Sequence, residues 1–154
     1  MQIPQLRGLA LGIALLAVGA PLRAQAQATA NAPQQFSIMI WETPEQLALR
    51  TDGARGGAYW AAFADYGAEL QKAGVLRGGT ALRTGDAVRT VTVRNGRSMV
   101  ASRAHVNSRT ALGGYFIIEV PTLDDAVRWA ERLPSALTGA VEVRPAYPAP
   151  TMMK

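Results

Sequence analysis

Side chains able to do chemistry gather in the second half of the chain. Ser102, Arg103, His105, Ser108 and Arg109 fall within one short stretch, and Arg89 precedes them. His105 is the single histidine, the side chain whose ordinary pKa lies nearest neutrality. With Ser102 and Ser108 close by, it is a candidate general base. A serine triad would also need a nucleophile elbow, and no G-x-S-x-G occurs. Arg89, Arg103 and Arg109 carry guanidinium forks that suit carboxylates or phosphates. Solvated surface charge is the competing reading of all three. Further on, Glu142 and Arg144 stand two apart, so on a strand they share a face. They form either an ion pair across the surface or part of a cleft. Tyr115 adds a phenol, available to a ligand or to packing. Asp124 and Asp125 look like a carboxylate pair, but their place at a helix start makes capping the better explanation.

Other chemistries are closed off by composition. The chain has no cysteine, which excludes disulfides, thiolate metal sites and cysteine nucleophiles. One histidine excludes a multi-histidine metal centre, and no cofactor motif is found. Gly53, Gly56 and Gly57 lack the strand-GxxxxGK[ST] context of a phosphate loop. The net charge is +5. Removing Arg7 and Arg23 of the leader from the 16 basic residues leaves 14 against 11 acidic, a net +3. These charges are interleaved, and no aromatic motif of the RNA-binding kind lies on the central strands. Nucleic acid is therefore not an expected partner.

The elements that would position these residues are clearest between Leu112 and Arg144. Gly113-Gly114 opens a strand, LGGYFIIEV, that Pro121 ends. Thr122 sits where a helix N-cap belongs, with Asp124 and Asp125 in the first turn. Ala126, Val127, Ala130 and Leu133 make an apolar stripe at helical spacing. Val141 and Val143 then give a second strand one apolar face. The helix can cover only one side of this pair. Phe116, Ile118, Val120, Val141 and Val143 suit the covered side. The bare side would carry Tyr115, Glu119, Glu142 and Arg144.

Upstream, Phe36–Trp41 reads as the first strand and Pro44–Arg50 as a helical turn. Ala58–Ala73 reads as a long helix, with Tyr59, Phe63, Tyr66 and Leu70 on its core side. Val75–Leu82 reads as a further strand. Asn95-Gly96 between two alternating segments marks a hairpin, with Val93 opposite Ser98, Val91 opposite Val100 and Arg89 opposite Ser102. His105 and Asn107 follow in a loop leading to Leu112. Residues 1–26 read as a secretory signal: Arg7, an apolar run Leu9–Val18 too short to span a bilayer, and Ala24-Gln25-Ala26 for cleavage. The expectation is a periplasmic or secreted protein with no membrane span after cleavage. Residues 27–35 read as a disordered linker, 36–146 as one domain and 147–154 as a flexible tail.

The order strand, helix, strand, hairpin, strand, helix, strand, with LGGYFIIEV, VEVRP and AGVLRGG, resembles the YCII-related family of the DGPF type. The resemblance spans about residues 36–146. It implies an α+β, ferredoxin-like sheet with two helices on one face and an inserted hairpin. It also implies pairing of two copies into a dimeric α+β barrel. The family's D-G-P-F letters would fall at Ser102-Arg103-Ala104-His105, where only the spacing survives. The proposed catalytic relatives place a histidine in the first helix; Tyr59, Trp60, Ala61 and Ala62 stand in that neighbourhood here. The leading expectation is thus an exported homodimer binding a small molecule, with anions among the candidates, on the bare face. Its site would combine Tyr115, Glu142 and Arg144 with Arg89, Ser102, Arg103 and His105. The alternatives are a cofactor-free lyase, isomerase or hydrolase with His105 as base, and a structural dimer with a vestigial cleft.

Overall fold

The computed structural model describes residues 32–147. The leader, most of the expected linker and the end of the tail lie outside them.

Strand β1, Gln34–Glu42, begins two residues before the predicted start. Its alternation is strict. Phe36, Ile38 and Ile40 are buried, and so is Glu42. Ser37, Met39 and Trp41 point to the other face. β1 lies inside a four-stranded antiparallel sheet, flanked by β5 (Ala111–Val120) and β6 (Ala140–Pro145), with β2 (Leu76–Ala81) beyond β5. The order β2-β5-β1-β6 is ferredoxin-like. The chain is α+β, as the spacing of apolar residues indicates.

Thr43 turns the chain out of β1. Its hydroxyl accepts from Gln46 N while the Gln46 side chain accepts from Thr43 N, a capping box for the short helix α1, Pro44–Leu49. That helix delivers Arg50 at its C-terminal end. A tight corner leads into α2, Gly56–Lys72. On α2, Tyr66 and Leu70 are fully buried and Phe63 packs at the core's edge. Helix α3, Leu123–Ala130, is capped by Thr122, whose hydroxyl accepts from Asp125 N. Ala126, Ala130 and Leu133 of its expected stripe are buried, whereas Val127 is 38% exposed. Leu133 lies beyond the end of α3, and Val127 lies beside the buried line. Both longer helices cover one side of the sheet.

The hairpin forms with the expected register: β3 (Thr90–Arg94) pairs Val91 with Val100 and Val93 with Ser98 of β4 (Arg97–Ala101). Asn95 and Gly96 both have positive φ, 51° and 75°, as a two-residue primed turn requires. The ladder stops at Thr90–Ala101, short of Arg89 and Ser102. The hairpin is a two-stranded ribbon of its own, outside the main sheet. Val91, Val93 and Val100 are consequently 60–63% exposed.

Candidate functional site

Two cavities hold most of the polar side chains that could act on a molecule. The larger, about 770 Å³, lies between the end of β1, the loop after β2 and the segments at the base of the hairpin. Its walls include Trp41, Arg83, Arg89, Arg103, His105 and Asn107. Arg89 is held by its own turn, donating from Nη1 to the carbonyls of Asp86 (2.5 Å) and Val88 (2.9 Å). Thr90 donates its hydroxyl to the Arg103 carbonyl at 2.7 Å, which ties the two sides of the hairpin base together. Among the described residues, no Asp or Glu lines this cavity.

Trp41 links that cavity to the bare sheet face. Its indole N–H donates to Glu142 Oε2 at 3.0 Å, and Arg144 Nε donates to the other carboxylate oxygen at 2.6 Å. The Arg144 guanidinium, aided by Trp41, holds the Glu142 carboxyl below the usual carboxylate range. Arg77 and Glu119 form a second ion pair on the surface, N–O 3.2 Å. Between the two pairs lie Met39, Trp41, Tyr115 and Ile117, none of them fully exposed.

The structure therefore brings Arg89, Arg103 and His105 to one cavity. It joins Glu142 and Arg144 to that cavity only through Trp41. Ser102 lines neither cavity, and Tyr115 lines the other one. Arg83 and Trp41 are additions that the sequence reading passed over. Arg83 follows the predicted β2 directly, and Trp41 shares strand parity with Met39, so both were within reach of the pattern.

The smaller cavity, about 310 Å³, sits on the helix-covered side at the C-terminal end of β1. Its polar side is a cluster of buried Glu42 with half-buried Arg50 and Tyr59. Glu42 has no solvent exposure, and Arg50 is 15% exposed. Arg50 Nη2 donates to Glu42 and, at 2.6 Å, to the Gly113 carbonyl. Its Nη1 donates to the Leu82 carbonyl at 2.7 Å, and its Nε to Tyr59 Oη at 3.2 Å. Tyr59 in turn donates to the second oxygen of Glu42. Burial, then the bond to Glu42, pushes the Tyr59 phenol up to about 12, so it stays a donor at neutral pH. Gly113 makes room for this arrangement: a Cβ there would lie 1.7 Å from Glu42 Oε2. Apolar residues close the rest, including Trp60, Phe63 and Phe116.

Among the described residues, no group of three or more His, Asp or Glu side chains stands close enough to hold a metal ion. Nor is any helix among them long and apolar enough to cross a membrane. The family model for the YCII-related domain matches residues 35–149, and the chain belongs to that family. No curated protein matches it.

Proposed function

We propose that this YCII-related domain binds a small anionic molecule in the larger cavity. One observation carries the reading: Arg83, Arg89, Arg103 and His105 line one cavity to which the described residues bring no carboxylate. Cations gathered in a concave site focus their field on an incoming anion. Arginine forks can then grip carboxylate or phosphate oxygens in pairs. Trp41 provides a flat apolar surface beside them, as small-molecule sites usually do. The same lining argues for binding over catalysis by His105. A general base of this type is normally oriented by a carboxylate, and the described residues of the lining offer none.

In this reading two copies pair across the bare sheet face. Met39, Trp41, Tyr115 and Ile117 would be buried by the partner, with the Arg77–Glu119 and Glu142–Arg144 pairs at the rim. The domain would act outside the cytoplasm, released from its leader after Ala26. The Leu9–Val18 run and the small residues at Ala24 and Ala26 support that part.

Thermal unfolding in millimolar phosphate or citrate, with sodium chloride at matched ionic strength as the control, tests the binding. A ligand that binds the native state raises the melting temperature with concentration. The two anions should do so, saturably, and chloride should not. Equal behaviour of all three would remove the proposal. N-terminal sequencing of the exported protein tests the leader; an intact Met1 would contradict cleavage.

A further inference from the structure

We propose that the smaller cavity is a second and separate binding site, for a neutral, largely apolar molecule that carries one carbonyl-type acceptor. The walls set the first part of that description. Trp60, Phe63, Phe116 and Ile40 surround the space with apolar surface, and glycines at 79, 113 and 114 let the strands approach it closely. Its volume, about 310 Å³, is at the small end of the range in which ligand cavities fall, roughly 300–1,000 Å³.

Charge and hydrogen-bond capacity set the second part. Glu42 and Arg50 neutralise each other, so the site has no net charge to offer an ion. A guanidinium has five N–H groups. Arg50 commits one to Tyr59, one to the Leu82 carbonyl, one to the Gly113 carbonyl and one to Glu42. Among the described residues one donor on Nη1 is left over, on the only member of the ion pair that reaches solvent. Tyr59 already donates its hydroxyl to Glu42 and accepts from Arg50. A ligand entering here therefore meets aromatic rings and a single donor held in place by four other bonds. A ketone or ester suits that donor. A carboxylate would bring an uncompensated charge into a site where the guanidinium is already paired.

Calorimetric titration of the full chain with acetophenone and ethylbenzene tests this. Acetophenone should bind. Ethylbenzene, similar in size without the acceptor, should bind about threefold to tenfold more weakly, the value of one ordinary hydrogen bond. Ala64 lines the cavity and is exposed on α2, so A64W should block it without disturbing the core. That variant should keep the parent melting temperature and lose acetophenone binding, while its response to phosphate is unchanged. Failure of acetophenone to bind, equal affinity for ethylbenzene, or full binding to A64W would overturn the proposal. If A64W is unstable, A64L and the ethylbenzene comparison decide the question alone. The unchanged phosphate response separates this site from the anion cavity.

Discussion

Glu42 is the residue to which its surroundings are fitted. It ends a strand whose other inward residues are Phe36, Ile38 and Ile40, and it is buried as completely as they are. A carboxylate there is tolerable because Arg50 and Tyr59 satisfy both oxygens. Removing one member of a buried pair strands the other. Glu42→Gln should cost about 3 kcal/mol, at the low end for such pairs since Arg50 keeps some solvent; chemical denaturation measures it. Gly113→Ala should cost at least about 1–3 kcal/mol, because its Cβ would overlap the carboxylate. A Gly113→Ala protein as stable as the parent would mean that Glu42 sits elsewhere. The cluster was only half legible in the sequence. Strand parity places Glu42 inward with Ile38 and Ile40, but parity does not name its partner. Tyr59 belongs to the aromatic stripe of α2, so its ring reads as core and its hydroxyl is overlooked. Arg50 is 63 residues from Gly113, and no local rule joins them.

At the scale of elements, local chemistry was readable wherever it was local. Thr122 was identifiable as a cap and does cap α3; Thr122→Ala should cost about 1 kcal/mol. Asp52 does comparable work in the turn before α2. Its carboxylate takes a charge-assisted bond from the Arg55 side chain and bonds from the Arg55 and Ala54 amides, which hold its pKa down at about 2. A depressed carboxylate stabilises the fold when ionised. That contribution is present above the ordinary value of 3.8 and is lost as the pH falls toward 2. Asp52→Asn should therefore flatten the acid limb of stability between those values and leave neutral stability less affected. The hairpin shows where local reading stops. Its turn and register follow from Asn95-Gly96, but whether it joins the main sheet depends on contacts that alternation does not encode. Because it stands apart, Gly96→Val, which forces a branched residue to φ 75°, should loosen it alone. Amide exchange should quicken across Thr90–Ala101 and stay slow in β5.

For the whole molecule, the two helices leave one sheet face and a ribbon with exposed Val91, Val93, Met99 and Val100 without cover. A two-stranded ribbon is marginal by itself, and a second copy would bury both surfaces. Ile117→Arg, at the middle of the bare face, should then yield a monomer in sedimentation equilibrium; a parent chain already monomeric at high concentration would contradict pairing. The cavity between ribbon base and sheet is the central claim, since Arg83, Arg89, Arg103 and His105 all line it. Arg103 is the best probe: its backbone carbonyl holds Thr90, and a side-chain change spares that bond. Isothermal titration of citrate into the parent and into Arg103→Gln tests the account most directly. Saturable binding that weakens about tenfold or more in the variant, the worth of one charge-assisted bond, is the predicted result; equal affinity in both, or no heat in either, would contradict it.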